Sequence, residues 1–170
     1  MTKPTHNDPI DALGAAYEKM YERAAENLHT AEEKSGSLLH KLIDEAKDKA
    51  VELKELSEDD AGKLADWLKR DLDDTVNYLS ETGLELKDWL GFETTLLENA
   101  VLDLLLKSAD KTTVELLTMK DYARQPHTYH TGEITGPGTL VCDQCGEKLH
   151  FHRAGKIPPC PKCHATTFHR

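Results

Sequence analysis

Apolar residues recur at three- and four-residue steps through the first part of the chain, with charged residues filling the intervals. Ile10, Leu13, Tyr17, Met20, Tyr21, Ala24, Leu28 and Ala31 form one such stripe, which predicts an amphipathic helix. Ser35, Gly36 and Ser37 interrupt it, and Leu39, Leu42, Ile43, Ala46, Ala50, Leu53 and Leu56 then repeat the pattern. The interruption reads as a turn between two helices rather than a kink in one. Ser57 followed by Glu58, Asp59 and Asp60 has the chemistry of a helix start, because a side-chain oxygen can take an orphan amide and acids oppose the positive end of the dipole. A third helix is therefore expected through Ala61, Leu64, Ala65, Leu68, Leu72, Val76 and Leu79, with Gly83 as its stop.

The next segment changes character. From Leu86 through Trp89, Leu90, Phe92, Leu96, Leu97, Val101 and Leu102 to Leu106, apolar residues exceed one stripe, which predicts a central helix with neighbours on several sides. Thr112 to Glu115 has capping-box spacing and opens a short helix towards Tyr122, before Pro126 stops it. Trp67 and Trp89 read as core residues.

After Tyr129 the period becomes extended. Gly132, Gly136, Pro137 and Gly138 break the chain, Thr139 to Val141 is strand-like, and Lys148 to His152 alternates. Leu149 and Phe151 fall on one face of that strand, with Lys148, His150 and His152 on the other. Ala154 and Gly155 supply a reversal, and Thr166 to His169 a third strand. The expected architecture is mainly α: an acidic helical hairpin or bundle over residues 1–124 and a small all-β module over 125–170.

Within that module Cys142 and Cys145 form one C-x-x-C pair and Cys160 and Cys163 another, separated by 14 residues. Two residues between thiolates let one tight turn aim both sulfurs at an ion about 2.3 Å away, and two such turns close a four-sulfur shell. The pattern predicts one structural Zn2+ per chain, held by Cys142, Cys145, Cys160 and Cys163, with no position left for substrate. Ile134, Leu140, Leu149, Phe151, Ile157 and Phe168 are too few to hold the module by burial. Metal binding is expected to supply most of its folding free energy, on the order of 10 kcal/mol. Gly146 after Cys145 and Pro161 after Cys160 suit such turns. His164 stands where a second glycine is expected, implying a slightly different second turn and a surface role for that side chain.

Charge narrows the function classes. Of 170 residues 31% are charged, with a net charge of -10. Residues 1–124 carry 28 acidic against 16 basic residues, and residues 125–170 carry 3 against 5. Four thiolates and one zinc ion add -2 to the tail and bring it near neutral, so nucleic-acid binding is disfavoured. The acidic helices read as solvated outer faces, with a partner-binding coiled coil as the sharper alternative, although no sustained heptad is visible. Acidic faces also disfavour an anionic membrane surface. The most apolar stretch, Leu84 to Leu106, is interrupted by charges, and Met1 to Asp11 holds no apolar core of a secretory leader. A reducing cytoplasm is the expected setting.

The sequence Tyr129-His130-Thr131-Gly132-Glu133, followed by Gly136, Gly138, Leu140-Val141-Cys142, Cys145 and Cys160-Pro161-Lys162-Cys163, resembles the YbeL-like bacterial family of zinc-ribbon-containing proteins of unknown function. The likeness is close over the last 45 residues or so and looser over the helices, where Leu68 to Leu72 is similar in kind. It implies a cytoplasmic bacterial protein with a helical region and a C-terminal ribbon. It carries a metal role to the four cysteines and a catalytic role to no residue.

Three functions fit: a non-catalytic interaction or adaptor protein that associates with a protein partner, or with itself, through the helices; a nucleic-acid-associated or transcription-related ribbon; and a rubredoxin-like or thiol redox protein. Tyr129 to Glu133 reads as packing of a lead-in strand, with a binding patch as the alternative. His150 and His152 beside Lys148 form a titratable face without an assigned role.

Overall fold

A computed structural model describes residues 9–32, 35–82, 86–92 and 127–170. The predicted class holds: three main helices come first, and a small antiparallel β region carrying the four cysteines follows. The segments expected to form the central helix beyond Phe92 and the Thr112 capping box lie outside the described residues, as does Gly83.

Helix α1 (Pro9–Thr30), α2 (Gly36–Glu52) and α3 (Glu58–Thr82) follow the three stripes. The Ser35–Ser37 interruption is a true break, since α1 ends at Thr30 and Ser35 caps α2 by accepting from the Leu38 amide at 3.1 Å. Ser57 does the same for α3, accepting from the Asp60 amide at 3.2 Å behind a wholly acidic first turn. The helices run antiparallel in sequence. Arg23 and Lys19 of α1 reach Glu55 beyond the end of α2, while Lys69 and Asp73 of α3 reach back to Asp44 and His40. Tyr17, Met20, Ala24 and Leu28 of α1 meet Leu39, Ile43 and Ala46 of α2 and Leu64, Leu68 and Leu72 of α3 in one core.

The stripe fails at Leu53, which is 49% exposed. Helix α2 ends one residue earlier, and the left-handed Lys54 (φ +55°) turns the chain so that Leu56, not Leu53, returns to the core. A second difference concerns the segment from Leu86. Helix α4 (Leu86–Leu90) is one short turn, because Gly91 takes a φ of +77° and the Leu90 carbonyl accepts from the Thr139 hydroxyl of the β region. A side chain at position 91 would bring its Cβ within 2.5 Å of Thr139 Oγ1. Trp89, Leu90 and Phe92 nevertheless pack on the helical core as expected, and Trp67 lies against it half-buried.

The β region holds β1 (Tyr129–His130), β2 (Ile134–Thr135), β3 (Gly138–Cys142), β4 (Lys148–Phe151), β5 (Gly155–Lys156) and β6 (Thr167–His169). They form an antiparallel four-stranded sheet in the order β1-β6-β3-β4 and a two-stranded sheet of β2 and β5. The predicted hairpin is β3–β4, with Leu140 opposite Leu149, and Leu149 and Phe151 are less exposed than Lys148 and His150. At the expected reversal, Gly155 and Lys156 pair with β2, and Ala154 is buried in the helical core beside Ile134. The two-stranded sheet thus packs directly on α1 and α3.

Candidate metal centre

The turn between β3 and β4 and the turn that precedes β6 build the site. Cys142 closes β3, and the chain then folds back so that the Gly146 amide donates to the Cys142 carbonyl at 3.0 Å and the Cys142 amide to the Glu147 carbonyl at 2.8 Å. The second pair repeats this loop. The His164 amide donates to the Cys160 carbonyl at 2.9 Å, and the Cys160 amide to the Ala165 carbonyl at 2.9 Å. Gly146 has a φ of +73° and His164 one of +61°. The second turn therefore does not differ from the first, contrary to the expectation from sequence. Histidine enters the left-handed region at a steric cost of about 1–2 kcal/mol, and its side chain is exposed as expected.

These loops bring Cys142, Cys145, Cys160 and Cys163 together, with all four sulfurs within 4.8 Å of one another. Cys142 and Cys163 are 3.6 Å apart, as are Cys145 and Cys160. Four sulfurs at about 2.3 Å from one ion in a tetrahedron are about 3.8 Å from each other, so the spacing fits a metal. All four thiols are unbridged. Cys142 and Cys160 are buried against Tyr129, Leu140, Ile157 and Phe168, and Cys145 and Cys163 are half-buried on the outer side.

Backbone amides are aimed at the sulfurs. Burial would raise Cys160, but the amide hydrogens of Cys163 and Lys162 oppose it and, with the neighbouring sulfurs, bring its pKa down to about 7. The Glu147 amide favours the Cys145 thiolate, yet burial and the sulfurs of Cys163, Cys160 and Cys142 outweigh it and push Cys145 up to about 12. The Ala165 amide makes the equivalent contact to Cys163, whose pKa is also raised overall by burial and crowding. Four thiols this close ionise together only when a cation takes up their charge. Among the described residues no other cluster of His, Cys, Asp and Glu has this character.

The sequence pattern missed the polar junction that joins this module to the helices. Asp71 of α3 is 4% exposed; its carboxylate accepts from the Tyr17 hydroxyl, from Thr135 Oγ1 at 3.2 Å and from the Gly136 amide at 2.8 Å. Arg70 reaches Glu133 and the Ile134 carbonyl, with its guanidinium 3.9 Å over the Tyr129 ring. Tyr129 donates to Asp74, which also pairs with His127. Burial first, then Asp71, pushes the phenols of Tyr17 and Tyr129 well above their ordinary range, so both remain donors. Among the described residues no buried side-chain nitrogen or oxygen lacks a partner. Tyr129 and Glu133 are therefore engaged in packing, while His130 is exposed. His150 and His152 lie exposed around Phe92, at ring distances of 6.1 and 4.4 Å.

Residues 26–170 match the model of a family described as a zinc-ribbon containing domain. The chain is 26% identical over 129 residues to the uncharacterized protein YbeL of Escherichia coli strain K12, covering 76% of this chain and 79% of that protein. The same figures hold for YbeL of the O157:H7 strain. No solved structure matches the chain. Among the described residues no helix is long and apolar enough to cross a membrane.

Proposed function

The chain belongs to the zinc-ribbon containing domain family, and on that premise we propose that it is a non-catalytic zinc-binding interaction protein of the bacterial cytoplasm. Cys142, Cys145, Cys160 and Cys163 hold one structural zinc ion per chain. The ion fixes a rigid surface for a protein partner, and the acidic helices supply association, with a partner or with a second copy. The convergence of four sulfurs at tetrahedral spacing carries this reading. A shell of four protein ligands leaves the ion no open position for substrate or water, which suits a scaffold and not a catalyst.

Capture of partners from a lysate by the zinc-loaded protein and by Cys142→Ser tests it. Partners retained only by the zinc-loaded form support the reading; equal capture by both removes the ribbon from the interaction. Sedimentation of the full chain across concentrations tests self-association.

One observation favours a nucleic-acid-associated reading as the alternative. No Asp or Glu occurs between Lys148 and Arg170, and Lys148, Arg153, Lys156 and Lys162 are all exposed. Cations gathered on one module bind a polyanion through counterion release, which shows as a salt-dependent affinity. The acidic helices packed beside that module oppose such binding, and on this balance the protein-partner reading ranks first.

A further inference from the structure

We infer that zinc occupancy of the ribbon and docking of the ribbon on the helices form one coupled equilibrium, transmitted by Arg170 and Tyr129 to Asp71 and Asp74 of α3. The inference rests on the zinc-ribbon reading and deepens it, because it gives the metal state a consequence on the helical surface.

The strand register makes the connection. Strand β6 lies between β3 and β1, with Phe168 opposite Cys142 on one side and opposite Tyr129 on the other. Its preceding residues lead back to Cys163. The metal shell therefore ties β3 to the segment that leads into β6, and β6 in turn pairs with β1, which carries Tyr129, and runs directly into Arg170. Arg170 follows β6 directly, and its guanidinium enters the interface. Nη2 donates to Thr135 Oγ1 at 2.9 Å and lies 3.8 Å from Asp71, and Nε donates to Tyr129 Oη at 3.2 Å. The same group stacks 4.9 Å from the Trp89 ring of α4. Its side chain is 7% exposed and that of Asp71 6%.

The energetics give the direction. Short strands and a small apolar cluster do not hold β3 against β6 once no ion ties the four sulfurs together, so metal loss loosens the pairing of Cys142 with Phe168. Arg170 and Tyr129 then lose their fixed positions, and the buried Asp71 and the half-buried Asp74 are left without their full partners. Such groups recover solvation by opening the interface. Opening uncovers Trp89, Leu90 and Ile134, which are buried where the ribbon meets the helices. By linkage the converse also holds: docking strengthens the hold on zinc by the factor by which zinc strengthens docking, so a junction weakened on the helix side lowers zinc affinity by up to that factor.

The test uses the full-length zinc-loaded protein in a Trp67→Phe background, where Trp89 is the remaining tryptophan. Zinc is withdrawn by EDTA under a phosphine reductant and then restored. Withdrawal is expected to shift Trp89 emission to the red, and restoration to reverse it. Asp71→Asn and the milder Arg170→Lys, each checked by circular dichroism for intact helices, should hold zinc about tenfold more weakly than the parent in equilibrium competition with a chromophoric chelator. Lys63→Met, which removes an exposed ion pair away from the junction, should hold it with the parent affinity. Emission of Trp89 that ignores zinc, or parent zinc affinity in both junction variants, overturns the coupling while leaving the zinc ribbon standing. A protein that holds no zinc overturns the ribbon reading and the coupling together.

Discussion

Gly146 and His164 occupy the same backbone position in two copies of one turn. Each follows the second cysteine of its pair, each has a left-handed φ, and each donates its amide to the carbonyl of the first cysteine. Nothing lies within 4 Å of a Cβ built on Gly146, so its constraint is conformational and not steric crowding. Gly146→Val should therefore cost about 1–2 kcal/mol. His164→Gly should be neutral to stabilising by no more than about 1 kcal/mol, since relief of strain is partly offset by the freer unfolded glycine. Thermal melts of the two zinc-loaded variants decide it, and equal destabilisation by both would show that the turns are not equivalent.

Asp71 collects the donors that face it from α1 and the β region. Asp71→Ala leaves the Tyr17 hydroxyl, the Thr135 hydroxyl and the Gly136 amide without that acceptor and Arg70 and Arg170 without that counter-charge. A loss of about 3–5 kcal/mol is expected. Tyr17→Phe removes one donor from the same carboxylate and should cost about 1 kcal/mol. Urea unfolding followed by circular dichroism gives both numbers. An Asp71→Ala protein as stable as the parent would mean that the junction is solvated.

What the sequence disclosed and what it withheld follow a physical division. The stripes of Tyr17 to Leu28, Leu39 to Ala50 and Leu64 to Leu72 were legible because burial of one helix face imposes a period. The cysteines were legible because metal geometry imposes a spacing. Helix α4 was misjudged because its stop depends on Thr139, 49 residues away along the chain. Asp71 and Arg70 looked like members of a solvated polar face; their burial comes from residues more than 60 positions later, and no local pattern encodes that. His164 misled in the opposite direction: the turn kept its shape and the residue accepted the strain.

Loss of a ligand separates the contributions of metal and core. Cys142→Ser opens the shell at a buried position in contact with Phe168, so the β region should unfold while most helical signal remains. Limited proteolysis should then cut after Gly132, and the helices should melt at a lower temperature because Ile134 and Ala154 no longer complete their core. Full zinc retention with unchanged protease resistance would contradict this.

Double-stranded DNA should bind weakly and without sequence preference at physiological salt, because the helical body is strongly acidic and the zinc-loaded ribbon is near neutral. A salt titration of binding checks this. Submicromolar affinity that falls steeply with salt would move the nucleic-acid reading ahead of the protein-partner reading.

The central claim is that Cys142, Cys145, Cys160 and Cys163 hold structural zinc. Elemental analysis of the protein as purified from cells, taken with its visible absorption spectrum, tests it most directly. The account predicts a colourless protein with one zinc per chain. A visible iron–thiolate band would favour the rubredoxin-like alternative, and purified, folded protein without bound metal would contradict the zinc ribbon itself.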